Sequence, residues 1–349
     1  MHRDSARGIR AHVNRFSHNV INVSDLDRSV EFYEATFPVR RRCRIDGPAQ
    51  AYRSLGIDHG QFRGWVLESK ANAWPPGDLS AEARPRELHL IQWLNPEPVG
   101  TPYRAANNLG IYRQNSLVGD LDAAYQAVLD HDGRPYGPPA PILLTPEGFR
   151  VRTYGYRDPD GTTLQMMGPD EPHPEYPGAI YHCNINVSDL NASNRFYRDL
   201  LGLDHIIYLE PNEVQPMANG NLGDRMMLAD GSPYDGTDMD FKAVFLGIRS
   251  DTRTPVDLVQ WKTPGYGGHP YEAANNLGIV RVAIEVDDLD AVHTTLKPTL
   301  GQDISDVETW DMGEFGTHRV AMLRDPDGTI LEVIEAPAPA GNPTPPEFG

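Results

Sequence analysis

The chain has 349 residues, 39% hydrophobic and 23% charged, and this length favours two domains over a single core. Its formal net charge of −18 argues against nucleic acid and anionic membranes as partners, because both are bound by basic surfaces. The N-terminal segment has no apolar stretch that would make it a signal peptide or an anchor. Cys43 and Cys183 are the two cysteines, too few for a disulfide framework, so a cytoplasmic location is predicted.

Several sequence blocks occur twice, in the same order and at a nearly constant spacing. FSHNVINVSDLDRSVEFY (16–33) returns as IYHCNINVSDLNASNRFY (180–197), and AANNLGIYR (105–113) returns as AANNLGIVR (273–281). Such repetition indicates a duplicated domain. The predicted boundaries are a flexible N-terminus at 1–11, a first domain at 12–168, a Pro-rich linker at 169–178, a second domain at 179–337 and a Pro-rich tail at 338–349.

Each copy divides again into two modules with the same pattern. A strand (HNVINV, RQNSLV, HCNINV, RVAIEV) leads into an Asp-Leu turn, and the aspartate is a good N-cap for the amphipathic helix that follows. Three further strands come next. In modules two and four, the last two strands are joined by Asp-Pro-Asp-Gly, a strong turn signal. The sequence therefore predicts a β-α-β-β-β unit that occurs four times.

These units, with the His-x-x-x-x-Val-x-Asp-Leu opening at 18–26 and again at 182–190, resemble the vicinal oxygen chelate superfamily. That superfamily includes glyoxalase I, bleomycin-resistance proteins, methylmalonyl-CoA epimerase and extradiol ring-cleaving dioxygenases. The resemblance covers roughly residues 14–337. It implies an α+β fold in which four βαβββ modules form two tandem glyoxalase-like domains with concave mixed sheets.

Strand alternation assigns candidate residues to the concave faces of these sheets. His182, Asn184 and Asn186 lie on one side of their strand, and Cys183 lies on the opposite, helix-facing side. Trp261 could stack on an aromatic ligand or simply fill space. The remaining residues predicted for the concave faces are Asp257, Arg281, Glu285 and Glu332 in copy two, and His18, His89, Arg113 and Gln165 in copy one.

The resemblance implies metal ligands on the first and last strands of paired modules. In copy two these positions are His182, Asp257 and Glu332, a set suited to a divalent Fe, Mn, Ni, Zn or Co ion. His18 and His89 of copy one form the weaker alternative. Plain strand histidines with satisfied hydrogen bonds are the competing interpretation.

The pairing of the modules decides which of these residues meet. The longer linker between the copies favours pairing within each copy. The alternative pairs module one with module four and module two with module three, and it would assemble His18, His89, Arg281 and Glu332. The sequence leaves this choice open.

Arg113 and Arg281 stand where metal-binding relatives usually carry a histidine. An arginine has no lone pair to donate and is always charged, so it cannot be a ligand. Arg281 could bridge Asp257 and Glu332 or hold a substrate oxygen. The predicted catalytic residues are Arg281 and Glu332, and the predicted substrate-binding residues are Asn184, Asn186, Trp261, Arg281 and Glu285.

The expected function is a metal-dependent enzyme of the lyase or isomerase type. It would act on a small oxygen-rich or aromatic molecule, by proton transfer through an enolate, in the cavity of the second domain. A ring-cleaving dioxygenase, a non-catalytic small-molecule binding protein and metal-free acid–base catalysis by Glu332 or Asp257 are the alternatives. A small-molecule substrate is the expected partner, and the chain is expected to be a monomer or a homodimer.

Overall fold

The computed structural model describes residues 8–71, 85–143, 150–206, 212–213, 226–236, 239–248 and 251–336. Residues 8–11 were predicted to be flexible, but Ile9 is 1% exposed and belongs to a 3₁₀ turn, Ile9–His12, so these residues are part of the fold. The rest of the predicted flexible N-terminus and the predicted C-terminal tail, 338–349, lie outside the described residues.

One sheet has nine strands and combines module one with module four; we call it the 1+4 sheet. Its strands from module one are β1 (Val13–Asn22), β2 (Val39–Ile45), β3 (Gln50–Tyr52), β4 (Ile57–Ser69) and β5 (Glu87–Asn95). Its strands from module four are β16 (Gly278–Val286), β17 (Glu308–Asp311), β18 (Thr317–Arg324) and β19 (Ile330–Glu335).

The other sheet has ten strands and combines module two with module three; we call it the 2+3 sheet. Its strands from module two are β6 (Gly110–Leu117), β7 (Arg134–Pro135), β8 (Ala140–Leu143), β9 (Arg150–Arg157) and β10 (Thr163–Gly168). Its strands from module three are β11 (Ala179–Asn186), β12 (His205–Ile206), β13 (Asn212–Glu213), β14 (Asp240–Ile248) and β15 (Asp251–Thr263).

Each module has one helix after its first strand, as the sequence predicts. The side chain of the aspartate before each helix accepts a hydrogen bond from a backbone N–H in the first turn, which fixes where the helix begins. The helices are α1 (Leu26–Thr36), α2 (Leu121–Asp130), α3 (Leu190–Asn194), which continues as a π-helical turn (Arg195–Leu200), and α4 (Leu289–Leu300). No helix within the described residues is both long and apolar enough to cross a membrane.

The sheet order confirms the α+β fold of four βαβββ modules but shows that pairing within each copy is wrong. β1 lies antiparallel to β16, with Val20 opposite Arg281, and β11 lies antiparallel to β6, with Asn184 opposite Arg113. Parallel β1–β5 and β11–β15 pairs complete the mixed pattern. Each sheet therefore draws one module from each copy, whereas the boundaries of the two copies stay a prediction.

The connectors that carry the Ala-Ala-Asn-Asn-Leu-Gly phrase explain this exchange. Asn22 donates to the carbonyl oxygens of Ala274 and Asn276, at 2.7 and 2.8 Å, so β1 holds the connector that enters β16. Asn186 of β11 holds the connector that enters β6 in the same way. Each connector starts at the end of a strand in one sheet and is anchored by a first strand of the sheet that it enters. The length of the linker between the copies therefore does not decide which modules pair.

One apolar core is shared by the helices and the back faces of both sheets, and it includes Phe16, Leu88, Ile185 and Leu258. Cys183 points into this core, as strand alternation predicts. The concave faces carry separate apolar clusters, one around Trp93 and Trp310 in the 1+4 sheet and one around Phe241 and Trp261 in the 2+3 sheet. Polar side chains on the concave faces are thus set apart from the shared core.

The Asp-Pro-Asp-Gly turns are held from inside by their first aspartate. Asp325 Oδ1 accepts from the backbone N–H groups of Asp327 and Thr329, at 3.0 and 2.8 Å, and Asp325 Oδ2 accepts from the Tyr197 hydroxyl at 2.9 Å. Tyr33 and Asp158 repeat this contact in the other copy. Burial raises the pKa of Asp325 to about 6 in spite of these donors.

Replacing Tyr197 with phenylalanine should lower the free energy of unfolding by about 1–2 kcal/mol, because a buried carboxyl oxygen loses its hydroxyl donor. Urea denaturation measures the change. Tyr266→Phe is the matched control, since Tyr266 is 42% exposed and should tolerate the same change. Equal effects of the two substitutions would contradict this role for Tyr197.

Candidate metal centre

A compact group of metal-ligating side chains lies on two neighbouring strands of the 1+4 sheet. β1 and β5 run parallel with His18 beside Glu87, and His89 follows Glu87 by two residues on the same face of β5. The ligand atoms of His18, Glu87 and His89 all lie within 4.8 Å of one another, and all three residues are buried. Two imidazoles and a carboxylate are common ligands of divalent transition metals.

The protonation of this group suits a metal. Burial lowers the pKa of His18 well below its ordinary value, and the charges of His89 and Arg281 add to this effect. Burial lowers the pKa of His89 as well, against the opposing effect of Glu87. Burial raises the pKa of Glu87. The hydrogen bond and charge of His89 and the charge of Arg42 lower that pKa by more, so the pKa of Glu87 lies below its ordinary value. Neutral imidazoles and an ionised carboxylate are the states that bind metals.

The ring geometry fixes the two histidines relative to each other. Their imidazoles are stacked, with centroids 3.6 Å apart and planes at 11°. His89 Nε2 lies 3.2 Å from Glu87 Oε2, and Arg42 contacts the other oxygen of that carboxylate. These contacts hold the side chains of His18, Glu87 and His89 close together.

Module four adds a second carboxylate and an arginine. Arg281 Nε donates to Glu332 Oε2 at 2.6 Å, and Glu332 Oε1 lies 3.7 Å from His18 Nε2. Both His18 Nε2 and Glu332 Oε1 are buried without a hydrogen-bond partner. Unpartnered buried polar atoms are costly, and a cation next to this lone pair and this carboxylate oxygen would satisfy both. The residues present therefore fit a divalent metal.

An outer layer surrounds the cluster. Arg15 and Glu285 form a buried ion pair at 3.3 Å, and Arg15 also donates to the Pro85 carbonyl oxygen at 3.0 Å. The Phe315 ring lies edge-on to His89, with centroids 4.8 Å apart, and Phe315 also stacks on His318. These contacts limit the movement of the ligand side chains.

The predicted ligand set of His182, Asp257 and Glu332 does not form. His182 and Asp257 lie in the 2+3 sheet, 4.0 Å apart between Nε2 and Oδ2, whereas Glu332 lies in the 1+4 sheet beside His18. The prediction is wrong because it relied on pairing within copy two. For the same reason Arg281 pairs with Glu332 alone and does not bridge to Asp257. Instead the structure brings together His18, His89, Arg281 and Glu332, the set that belongs to the alternative pairing.

The residues predicted to bind substrate are also divided between the sheets. Asn184 contacts Asp257, and Trp261 donates to Asn186 at 3.0 Å, all in the 2+3 sheet. Because Asn186 anchors a connector, its amide is already used. Among the residues predicted to bind substrate, Arg281 donates to Glu332, whose other oxygen lies 3.7 Å from His18 Nε2.

Sequence reasoning missed Glu87, although its i, i+2 spacing to His89 on a strand would have shown it. It did not point to His318 either, which is 8% exposed and packs against Phe315. Phe315 ends a 3₁₀ turn, Gly313–Phe315, and His318 lies at the start of β18, so the contact between them comes from a turn that no periodic pattern marks.

Comparison with known proteins supports this description. The family model of the Glyoxalase/Bleomycin resistance protein/Dioxygenase superfamily matches residues 179–333. A protein named "Probable lactoylglutathione lyase" from Vibrio cholerae is 27% identical over 158 residues, 45% of this chain and 89% of that protein. A protein of the same name from Vibrio parahaemolyticus is 24% identical over 160 residues, 45% of this chain and 91% of that protein.

Among solved structures, glyoxalase I from Zea mays superposes with a TM-score of 0.52 at 16% identity, covering 92% of each chain. This likeness concerns the fold and extends over the four modules. The second half of the chain therefore matches the Glyoxalase/Bleomycin resistance protein/Dioxygenase superfamily model, and the chain as a whole has the mixed concave sheets of a glyoxalase-like fold.

Proposed function

We propose that the protein is a metal-dependent lyase or isomerase whose active site is the concave face of the 1+4 sheet. The observation that carries this proposal is the buried group of His18, Glu87 and His89 with Glu332 beside it, in which His18 Nε2 and Glu332 Oε1 lack partners. This active site lies in the 1+4 sheet and not in the cavity of the second domain, where the sequence led us to expect it.

In this proposal His18, Glu87 and His89 hold the ion. A bound divalent ion would supply Lewis-acid stabilisation of negative charge on two neighbouring oxygens of a small substrate. The chain's own residues must then move a proton. Glu332 is placed for this role because Arg281 fixes its Oε2 atom and leaves Oε1 without a partner.

Arg281 has a positioning role. Its Nε–H···Oε2 contact sets the direction of the Glu332 carboxylate, and both residues are at most 3% exposed. Because its charge is paired with Glu332, Arg281 is compatible with a nearby cation. An unpaired arginine here would repel a metal ion, and in this proposal the pairing with Glu332 offsets that repulsion.

The substrate class follows from the relatives. Two relatives are named "Probable lactoylglutathione lyase", one of them 27% identical over 45% of this chain, which supports testing a glutathione thioester and its hemithioacetal isomer first. The hemithioacetal of methylglyoxal and glutathione is therefore the first substrate to test.

A ring-cleaving dioxygenase is the second candidate. Two imidazoles and one carboxylate, as in His18, His89 and Glu332, match the ligand set of non-haem Fe(II) oxygenases. Oxygen consumption with a catechol after loading with Fe(II) would favour this candidate over the isomerase. A purified protein that binds a ligand but turns over neither substrate would favour a binding function.

Metal binding should depend on the histidines of the 1+4 sheet. His18→Ala and His89→Ala should each weaken binding of Zn²⁺ or Ni²⁺ by at least about tenfold, because each removes one ligand of a small set. Titration calorimetry on chelator-treated protein and elemental analysis of the purified protein measure this. His182→Ala is the matched control in the other sheet and should keep the metal. Metal loss in the control alone would overturn the assignment.

Proton transfer should depend on Glu332. Glu332→Gln should lower turnover of the hemithioacetal by about 10²–10⁴-fold, since an amide cannot accept the proton. Stopped-flow absorbance gives the rate, and exchange of the substrate C–H with D₂O reports the proton step directly. Glu272→Gln, an exposed position, is the control for the same chemical change. Full activity of Glu332→Gln would exclude Glu332 as the base.

A further inference from the structure

The concave face of the 2+3 sheet has its own polar cluster at the positions that match the metal centre. In the repeat, His182 matches His18 and Arg113 matches Arg281. The other three positions differ in chemistry: Asp257 matches His89, Gln165 matches Glu332, and Pro255 matches Glu87. This sheet has therefore lost two glutamates and one imidazole and has gained one aspartate.

Arg113 differs from Arg281 in how its charge is used. Its Nε donates to Asn184 Oδ1 at 2.6 Å, a neutral acceptor, and no carboxylate among the described residues forms an ion pair with it. Gln165, at the place of Glu332, turns its amide to Thr153 Oγ1 at 2.8 Å instead. The two terminal nitrogens of Arg113 have no hydrogen-bond partner in the described chain. Burial lowers the pKa of Arg113, and the charge of Asp257 opposes this effect.

The neighbours of Arg113 are buried groups with unused polar atoms. His182 Nδ1 and Asp257 Oδ1 are buried without partners, and these residues are 4% and 5% exposed. Burial raises the pKa of Asp257 to about 7, against the opposing effects of Arg113 and Asn184. Burial, with the charge of Arg113, lowers the pKa of His182. The cluster therefore combines one cation with buried polar atoms that have no hydrogen-bond partner among the described residues.

We propose that Arg113, His182, Asn184 and Asp257 form a second site, the Arg113 site, which binds a small carboxylate without a metal. The planar guanidinium offers parallel N–H donors that match the two oxygens of a carboxylate. His182 Nδ1, which is buried without a hydrogen-bond partner, is available as a further donor. A single unpaired cation next to an aspartate suits one negative charge better than the two of a phosphate. The site lies in the other sheet, so it is independent of the proposed enzymatic function.

The probe is L-lactate, with lactamide as its neutral analogue, titrated calorimetrically into chelator-treated protein. The wild type should bind lactate at millimolar concentrations with one site and should bind lactamide at least about tenfold more weakly. Failure of the wild type to bind lactate, or equal binding of the amide, would overturn the proposal.

Two substitutions test the role of Arg113. Arg113→Gln removes the cation, and Gln165→Glu restores the arginine–glutamate pair that occupies Arg281 in the other sheet. Each should weaken lactate binding by about 10–100-fold, the effect of losing charged hydrogen bonds. Gln165→Glu is nearly isosteric, so it keeps the test valid where Arg113→Gln fails to fold. Wild-type affinity in folded Gln165→Glu protein would refute the site.

Arg281→Gln is the matched control, because Arg281 is already paired with Glu332. It should leave lactate binding unchanged, whereas loss of binding in this variant would place the carboxylate in the 1+4 sheet and overturn the proposal. Metal titrations of the same proteins separate the two proposals. Loss of lactate binding with intact metal binding concerns the Arg113 site alone.

Discussion

The antiparallel pairing of β1 with β16 is the constraint on which the candidate active site depends. It places Val20 opposite Arg281, and the neighbouring parallel strands β5 and β19 bring Glu87 and Glu332 to the two sides of His18. Module one supplies the three proposed ligands, whereas Arg281 and the proposed base Glu332 come from module four. Backbone hydrogen bonds between residues far apart in the chain therefore create the site, and side chains in either copy alone would be incomplete.

This dependence explains what the sequence could and could not predict. The sequence predicts features that depend on nearby residues, because caps, turns and strand alternation are set locally. Examples are the helix start at Asp25, the turn at Asp325 and the core-facing side of Cys183. The contact of Glu332 with His18 is not local. It is chosen by the pairing of first strands, which the connector phrases guide through Asn22 and Asn186, and linker length carries no information about that choice.

The two sheets show how one duplicated arrangement acquires opposite charge preferences. Where the 1+4 sheet has Glu332, the guanidinium of Arg281 is paired and the imidazoles beside it remain available to a cation. Where the 2+3 sheet has Gln165, the amide turns to Thr153 and the arginine stays unpaired. The arginine is common to both sites, and the change from Glu332 to Gln165 removes the carboxylate that would pair with it.

The role of the repeated arginine, Arg113 or Arg281, consequently depends on the side chain that accepts its hydrogen bond. Near a metal an unpaired guanidinium would oppose the ion, so the proposed metal centre requires the 2.6 Å contact between Arg281 and Glu332. That contact has a second effect, because it uses one carboxylate oxygen and directs the other towards His18. The contact between Arg281 and Glu332 therefore both compensates the charge of the arginine and orients the proposed base. A site that lost the arginine would lose the direction of its base, and a site that lost the glutamate would gain an anion-binding cation.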